Sequence, residues 1–237
     1  MNKIHFESID STNTYLKKNY QNLEDMTFVS ASLQTQGRGR NNRIWQADDK
    51  NLLCSILLKD QKYFAYTNEL SIISGYTVLQ VLQEYGVNNL SIKWPNDVYV
   101  DGKKICGILL EATSSESIEC LIIGIGINVN QSEFDKTFNA TSMINELNKQ
   151  INISELENKL YEKFIENLDK LMNHNDFYEE ITKYDYLKGK QAYAIIDNQK
   201  TLVQIIGIDP DYSLKVIHNN ELKNVNSGEI SFNLCSI

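Results

Sequence analysis

The chain places all three of its arginines within six residues, in the stretch QTQGRGRNNRIW at residues 34–45. Lysine supplies every other fixed side-chain cation. Arg38, Arg40 and Arg43 each carry a planar fork of donors that keeps its charge and grips a phosphate or carboxylate with two hydrogen bonds. The glycines of GRGR allow the backbone to approach a ligand closely. The combination predicts an anion-binding loop in preference to a solvated charged loop.

The two tryptophans lie in or near the polar stretches of the chain. Trp45 ends the arginine-rich loop, two residues after Arg43. An indole ring in that position could cover a flat ring such as adenine by stacking, and the alternative is an anchor in the core. Trp94 is flanked by Ile92 and Pro95. This apolar setting predicts a core position for Trp94.

The segment KWPND places a cation where a strand is expected to end. Lys93 lies next to apolar Ile92 and Trp94, and a proline turn follows at once. We therefore expect its ammonium to point into a cleft, where it could neutralise a carboxylate and a phosphate that must approach each other. In the turn, Asn96 and Asp97 could hold a nucleotide or Mg²⁺. An Asx-type turn explains Asp97 equally well.

Several other chemistries do not fit the sequence. The segment GIGIN at residues 124–128 lacks the full Rossmann spacing, and LKGKQ has neither the length nor the Ser/Thr of a P-loop. His5, His174 and His218 lie outside the motifs described above, which disfavours a Ser-His-acid triad. The residues thus indicate a site that brings anions together and stabilises charge at phosphorus, without covalent catalysis.

The overall composition is that of an ordinary globular protein with an acidic surface. The 237 residues are 42% hydrophobic and 23% charged, with a net charge of −8. The pI near 5.0 argues against a general nucleic-acid binder, which usually carries a basic face. The arginine cluster is therefore a local basic region, which suits a small anionic ligand better than a polymer.

The cysteines and the apolar segments indicate a cytoplasmic protein. The four cysteines, at positions 54, 106, 120 and 235, show no CxxC pairing and no spacing to His that is typical of zinc sites. Three of them lie in apolar runs, where buried, reduced thiols are expected. The N-terminus has no signal-peptide core, and no segment approaches the roughly 20 apolar residues of a membrane span.

The hydrophobic pattern predicts an α+β fold, a mixed sheet backed by helices. Strands are predicted for KIHFESI (3–9), TFVSASLQ (27–34) and NLLCSILL (51–58). A helix is predicted from Asn68 to Tyr85 and is ended by Gly86. The segment after SIKWPND is predicted to form a hairpin with its tight turn at Asp101–Gly102.

The hydrophobic pattern of the sequence changes near residue 187. Residues 154–187 carry a mainly helical pattern, whereas the following residues form short apolar runs separated by turn signals such as DPDYS. We therefore predict two domains, a main domain at residues 1–187 and a small all-β domain at residues 188–237 that resembles a β-barrel. No helix-turn-helix module is expected before the first strand.

The motifs DSTN, GRGRNNRIW, KWPNDVYVDGKKICGILLE and GIGINVN, in this order, resemble those of the biotin protein ligase family, the biotin–[acetyl-CoA carboxylase] ligases. The resemblance runs over essentially the whole chain and includes GEIS at residues 228–231. It implies a class II synthetase-like, biotin–lipoate ligase fold followed by a small SH3-like β-barrel. The form implied is the short one, which lacks the N-terminal DNA-binding module of larger members.

The same resemblance implies a reaction in two steps. Biotin and ATP, with Mg²⁺, give biotinyl-5′-AMP and pyrophosphate, and a lysine of a biotin carboxyl carrier domain then attacks the adenylate. The implied partners are thus biotin, ATP and the carrier domain of a biotin-dependent carboxylase, with no nucleic acid and no membrane. The sequence leaves the oligomeric state open, and a homodimer is one option.

The resemblance also assigns roles to individual residues. It implies a biotin pocket formed by Ser11, Thr12, Asn13, Gln34, Arg38, Gly39, Arg40, Lys93 and Gly107. It implies contacts to ATP from Arg38, Arg40, Arg43, Trp45, Lys93, Asn96 and Asn128. Lys93 and Arg40 are the implied catalytic residues. Lys93 would hold the biotin carboxylate and the α-phosphate, and Trp45 would pack on adenine.

Two positions depart from the family pattern, and two other functions compete. Asn42 stands where many members have Gly, and Asn233 stands where some carry an Arg near the nucleotide. Asn tolerates left-handed backbone, so the loop can keep its shape at Asn42. The competing functions are a lipoate–protein ligase or lipoyl transferase, and a non-catalytic biotin-binding regulator. The pair GRGR and KWPND disfavours the first, and the intact basic residues disfavour the second.

Overall fold

The structure is a computed structural model that describes residues 2–40, 43–45, 48–135, 137–196, 199–225 and 233–234. At residues 195, 196, 233 and 234 only the backbone is described. Four features of the sequence prediction lie outside these residues. They are Asn42, the GEIS segment, Cys235 and the side chain of Asn233.

A seven-stranded mixed sheet forms the centre of the main domain. Its strands are β1 (Lys3–Ile9), β2 (Phe28–Gln34), β3 (Leu52–Leu58), β4 (Leu90–Lys93), β5 (Asp97–Val100), β6 (Lys103–Ser114) and β7 (Ile118–Ile127). Their order is β1-β2-β3-β7-β6-β5-β4. Only β1 and β2 pair in parallel, and all other neighbours in this sheet are antiparallel. The predicted mixed sheet is confirmed.

Helices cover both faces of this sheet. They are α1 (Thr12–Asn19), α2 (Thr67–Glu84), α3 (Met143–Leu147), α4 (Ile153–Met172) and α5 (Tyr178–Thr182). Helix α2 packs on β4, β5 and β6 and against α4, whereas α1 packs on β2, β3 and β7. Gly86 ends α2 with a φ of +94°, as the sequence predicts. In the described part of the chain no helix has the length and apolarity that crossing a membrane requires.

The two faces of the sheet bury cores of different size. The larger core lies beneath α2 and α4. The smaller core lies beneath α1 and is formed by Leu16, Val29, Leu57, Cys120 and Ile122. Side chains alternate along a strand, so the face of β7 that carries Cys120 and Ile122 continues with Gly124 and Gly126. At Gly124 and Gly126, this face of β7 therefore carries no side chains.

The C-terminal residues form a second, five-stranded antiparallel sheet. Its strands are β8 (Gln191–Ile196), β9 (Gln199–Ile208), β10 (Leu214–His218), β11 (Glu221–Val225) and β12 (Asn233–Leu234). Their order is β11-β10-β9-β8-β12, and β11 and β12 do not pair with each other in the described part of the chain. The small all-β unit is thus present as a sheet, and the predicted closed barrel is not confirmed.

Tyr212 joins this sheet to the main domain. Its backbone oxygen accepts a hydrogen bond of 2.9 Å from Trp94 Nε1. Its hydroxyl accepts from the backbone N–H of Phe177 at 3.1 Å and donates to Asp176 Oδ1 at 3.1 Å. Trp94 is only 4% exposed and belongs to the larger core, which confirms its predicted role as an anchor.

Replacing Tyr212 with phenylalanine is expected to lower the free energy of unfolding by about 1–3 kcal/mol, because the buried N–H of Phe177 loses its acceptor. Urea unfolding measures this loss. Tyr193→Phe is the matched control, since Tyr193 is 43% exposed, and it should leave the unfolding midpoint unchanged. Equal midpoints for the two variants would contradict a joining role for Tyr212.

Candidate active site

One cavity of about 770 Å³ brings the predicted site residues together. The thirteen that line it are Ser11, Thr12, Asn13, Gln34, Arg38, Gly39, Arg40, Arg43, Trp45, Lys93, Asn96, Gly107 and Asn128. They come from α1, the strand ends and the loops between residues 34 and 128, which are distant in sequence. The cavity lies within the usual range for small-molecule sites, about 300–1,000 Å³.

The floor of the cavity is a row of residues that crosses four strands. Gly126 of β7 pairs with Gly107 of β6, Gly107 pairs with Asp97 of β5, and Asp97 pairs with Lys93 of β4. Directly opposed residues of antiparallel strands point to the same face of a sheet. Two glycines therefore leave the floor flat, and a carboxylate and an ammonium stand at one side of it.

The ring of Trp45 lies on this glycine pair. A Cβ added at Gly126 would lie 2.6 Å from Trp45 Cε2, and one added at Gly107 would lie 2.8 Å from its Cζ3. The Nζ of Lys104 lies 5.2 Å from the centroid of the indole ring, a cation–π contact. Trp45 Nε1 is buried and has no hydrogen-bond partner among the described residues. Trp45 is thus a wall of the cavity, and glycine is required beneath it.

The arginine-rich loop folds back on itself above the floor. Trp45 N donates to Gly37 O at 3.0 Å, and Gly39 N donates to Arg43 O at 2.7 Å. A Cβ at Gly37 would lie 2.6 Å from the carbonyl oxygen of Trp45, so only glycine allows this close approach. Residues 37–39 and 43–45 therefore lie side by side, and the three arginines reach the cavity.

The loop connects opposite sides of the cavity. Arg38 Nη2 donates to Thr14 Oγ1 of α1 at 2.9 Å, and Arg40 Nη1 donates to Asn96 Oδ1 of the β4–β5 turn at 3.4 Å. Burial lowers the pKa of the Arg40 guanidinium, an effect that nearby Asp97 opposes. Arg40 stays charged, since the pKa of arginine starts so far above neutrality. A partly desolvated guanidinium of this kind binds an anion more strongly than an exposed one.

Lys93 points into the cavity beside a neutral phenol. Its Nζ donates to Tyr99 Oη at 3.1 Å and lies 5.1 Å from the centroid of the Tyr99 ring. Burial raises the pKa of Tyr99 to about 12, so this hydroxyl is uncharged at neutral pH. Tyr99 orients the ammonium without cancelling its charge.

A second lysine, Lys104, reaches the same floor and was not assigned a role from the sequence. Its Nζ lies 2.7 Å from Asp97 Oδ1 and would lie 3.0 Å from a Cβ added at Gly107. In a regular strand, Lys104 and Gly107 would point to opposite faces. A shift in register between β5 and β6 pairs Tyr99 with Lys104 and turns this ammonium towards the cavity.

The cavity is strongly basic on an acidic protein. Among the described residues that line it, five are Lys or Arg and one, Asp97, is acidic, which gives a formal charge of +4. The chain as a whole carries −8. Such a local field attracts small anions and holds them once they are inside.

The opposite end of the cavity, at the start of α1, is polar and uncharged. Ser11 caps α1, and its hydroxyl accepts from Thr14 N at 3.4 Å. Thr12 N donates to Gln34 Oε1 at 2.8 Å, so the amide nitrogen of Gln34 is turned away from Thr12. Asn13 packs directly on Gly124, where an added Cβ would overlap Asn13 Oδ1. This end offers hydrogen-bonding groups in fixed positions.

Asn96 and Asn128 hold backbone segments at the cavity wall. Asn96 Nδ2 donates to Ile108 O at 2.7 Å. Asn128 is 5% exposed, and its Nδ2 donates to Thr141 O at 2.9 Å. Both residues line the cavity as the sequence suggests, and these side-chain N–H bonds go to protein carbonyls.

The described residues contain no obvious metal cluster and no activated thiol. Between residues 2 and 234, leaving out the undescribed positions, no three His, Cys, Asp or Glu side chains are grouped to hold a metal ion. Cys54 and Cys106 are buried and free, and burial raises the pKa of each thiol, so they stay protonated.

Comparison with known proteins gives a consistent result. A sequence model of the Biotin/lipoate A/B protein ligase family matches residues 5–128. The bifunctional ligase/repressor BirA of Bacillus subtilis is 39% identical over 116 residues, which cover 48% of this chain and 36% of that protein. A biotin–protein ligase of Schizosaccharomyces pombe is 29% identical over 242 residues, covering 93% of this chain and 35% of that protein. The match thus spans about a third of the length of these relatives.

A solved structure matches the chain over almost its full length. The biotin protein ligase from Aquifex aeolicus, in complex with biotin and ATP, superposes with a TM-score of 0.88 at 30% identity. The alignment covers 99% of each chain. The similarity therefore includes the second sheet as well as the cavity.

Proposed function

Because this chain belongs to the biotin/lipoate A/B protein ligase family, we propose that it is an ATP-dependent biotin protein ligase. In the first step a biotin carboxylate oxygen bonds to the α-phosphorus of ATP, and the bond to pyrophosphate breaks. In the second step the amine of an acceptor lysine bonds to the acyl carbon, loses a proton, and releases AMP. The acceptor is the biotin carboxyl carrier domain of a carboxylase.

One observation carries this proposal. A single cavity joins a polar, uncharged end beside α1 to a basic end formed by the arginine-rich loop and two lysines. Biotin has a polar ureido ring at one end and a carboxylate at the other. The basic end also suits the triphosphate, whose negative charge must lie beside that carboxylate for the two to react. The cations offset the repulsion between the two anions.

The residue roles follow this division. Ser11, Thr12, Asn13, Gln34 and Gly107 would contact the ring and chain of biotin. Arg38, Gly39 and Arg40 would close over biotin and the phosphates, and Arg43, Asn96 and Asn128 would complete the nucleotide site. Trp45 would pack on adenine.

Two lysines share the reacting end in this proposal. The sequence points to Lys93 as the cation for the biotin carboxylate and the α-phosphate. Lys104 Nζ lies beside Gly107, which is assigned to the biotin pocket, and its contact with Asp97 fixes its position. We therefore place Lys104 at the carboxylate and α-phosphate, and Lys93 beside it at the phosphates, with Arg40 opposite them.

Mg²⁺ would enter this site together with ATP. The cavity has one carboxylate among its described residues, Asp97, which already pairs with Lys104. Mg²⁺ commonly binds through one or two carboxylates together with substrate phosphates and water, so this donor set fits a phosphate-bound ion. When bound, the ion would neutralise charge on the leaving pyrophosphate.

The positions of the cavity-lining residues and the state of the cysteines support a division into two domains and a cellular location. All of the described cavity-lining residues precede residue 141, which supports residues 1–187 as the catalytic unit. The five-stranded sheet of the C-terminal residues supports residues 188–237 as a small domain, which we propose closes into an SH3-like barrel. The free, buried cysteines suit a reducing compartment such as the cytoplasm. The net charge of −8 supports a function without nucleic acid.

Transfer to a carrier domain tests this function. The chain, incubated with biotin, Mg²⁺–ATP and a biotin carboxyl carrier domain, is expected to increase the mass of the acceptor by one biotinyl group. Replacing the acceptor lysine with arginine should prevent the increase, because arginine cannot supply the amine. A lipoyl domain with lipoate is the parallel reaction, and modification there but not with biotin would make the chain a lipoate ligase or lipoyl transferase instead.

A further inference from the structure

We propose that Ser55 and Glu111, neither of which lines the cavity, are positioning residues that set the hydrogen-bond polarity of its uncharged end. This inference rests on the proposed function and deepens it, because that polarity matches the ureido group of biotin. Ser55 is fully buried in β3, and Glu111 is partly buried in β6. Both lie behind the side chains of Thr12 and Asn13.

Glu111 fixes the orientation of the Asn13 amide. Asn13 Nδ2 donates to Glu111 Oε2 at 2.7 Å. An ionised carboxylate only accepts hydrogen bonds, so the NH₂ group of Asn13 must face Glu111 and its oxygen must face the other way. That oxygen accepts a hydrogen bond of 2.5 Å from Ser55 Oγ. Asn13 Nδ2 also contacts Leu109 O, at the longer distance of 3.4 Å, so the carboxylate is the stronger of the two acceptors that decide which end of the amide meets Ser55.

The hydrogen bond from Ser55 to Asn13 also determines the direction of the hydrogen bond between Ser55 and Thr12. A serine hydroxyl has a single hydrogen, and that of Ser55 is used on Asn13. In the 2.6 Å contact between Thr12 Oγ1 and Ser55 Oγ, Thr12 must therefore be the donor. The Thr12 hydroxyl lies 3.2 Å from Gln34 Oε1 as well, and the shorter contact with Ser55 takes its hydrogen. The hydrogen bonds run one way, from Thr12 through Ser55 and Asn13.

The result is a cavity end that presents an acceptor beside a donor. With its hydrogen turned to Ser55, the Thr12 hydroxyl offers lone pairs to a ligand. Gln34 Oε1 accepts from Thr12 N, which leaves the NH₂ group of Gln34 as a donor at the cavity wall. A cyclic urea carries an N–H donor beside a C=O acceptor and complements this pair. The dithiolane ring of lipoate has neither group.

Removing the Glu111 carboxylate is expected to let the hydrogen bonds among Asn13, Ser55 and Thr12 reverse their direction. In Glu111→Met the Asn13 amide can turn over, Ser55 can then accept from Asn13 and donate to Thr12, and the Thr12 hydrogen can point at the ligand's N–H. Isothermal titration should show the Kd for biotin rising by about 10-fold or more. Glu111→Gln retains an acceptor oxygen and should restore an affinity close to that of the unchanged chain.

A double-mutant cycle shows whether the effect passes through Ser55. In the Ser55→Ala background the relay to Thr12 is already broken, so Glu111→Met should have little further effect on the Kd for biotin. The KM for ATP should change little in every variant, because the basic end is untouched, although Ser55→Ala is expected to lower the thermal unfolding midpoint through its lost buried hydrogen bonds. A variant that merely loosens the fold would raise the KM for ATP as well.

The outcomes separate this inference from the proposed function. If the unchanged chain binds biotin and Glu111→Met binds it equally well, the positioning role is wrong and the ligase proposal stands. Full additivity of the Glu111 and Ser55 effects would overturn the relay in the same way. If the unchanged chain does not bind biotin at all, the proposed function itself fails.

Discussion

Replacing Lys104 with methionine is expected to slow the formation of biotinyl-5′-AMP by about 100- to 1,000-fold, with the chain still folded. Removing one preorganised charge from a partly desolvated site commonly costs a factor of this size. Lys104 meets this description, because it lies over the glycine floor and is held by Asp97 at 2.7 Å. Single-turnover assays with biotin and Mg²⁺–ATP measure the rate, and circular dichroism confirms folding.

Lys93→Met is the matched control for the first prediction, because Lys93 lines the same cavity. It should slow the same step by a smaller factor of about 10, since its ammonium is placed at the phosphates and not at the reacting carboxylate. A larger loss in Lys93→Met than in Lys104→Met would reverse the two roles. That result would return the central position to the lysine that the sequence pointed to.

Replacing Gly124 with alanine is expected to weaken biotin binding by about 100-fold or more. An added Cβ would overlap Asn13 Oδ1 and lie 3.0 Å from its Cγ, so the amide must leave its network with Ser55 and Glu111. Biotin affinity falls for two reasons: the added Cβ displaces the Asn13 side chain, and Asn13 loses its hydrogen bond to the charged Glu111. Isothermal titration measures the Kd.

The control for this change is a glycine elsewhere in the same domain. Gly75→Ala places its Cβ 3.5 Å from Ile108 Cδ1, an ordinary contact, and should leave biotin affinity unchanged. Thermal unfolding of both variants separates loss of the pocket from loss of the fold. Unaltered biotin affinity in Gly124→Ala would show that the ligand does not use this end of the cavity.

The sequence predicted those parts of the site that depend on residue type and local spacing. The three arginines were noticeable because lysine serves for every other cation, and the structure places all three around the cavity. Trp94 was recognised as an anchor from its apolar neighbours. Gly86 and the Asp101–Gly102 turn both have the positive φ angles that the sequence implied. Each of these features is determined within a few residues of chain.

The parts that the sequence did not predict depend on how distant strands align. Gly126 and Gly107 make room for the Trp45 ring only because they lie directly opposite each other in neighbouring strands. Nothing in the local sequence distinguishes them from other strand glycines. Lys104 was missed because its direction depends on a register shift between β5 and β6. Ser55 and Glu111 act through a side chain from α1. Long-range pairing of this kind has no signature in a single sequence.

In the C-terminal unit, too, the sequence predicts the strands but not how they pack. The change in hydrophobic pattern near residue 187 predicted short strands, and the described part of the chain contains five. Val203 and Val216 of this unit pack in the same hydrophobic cluster as Trp94, a contact that the turn signals do not predict. Turn signals locate strands, but they do not say which faces pack together.

Biotin-dependent exchange of labelled pyrophosphate into ATP tests the central claim most directly, because it reports reversible adenylate formation and needs no acceptor protein. We expect exchange with biotin, none with lipoate, and a strong reduction in Lys104→Met. Exchange no greater with biotin than without it would show that the chain does not form the adenylate. Together with measurable biotin binding, that result would make the chain a non-catalytic biotin-binding regulator.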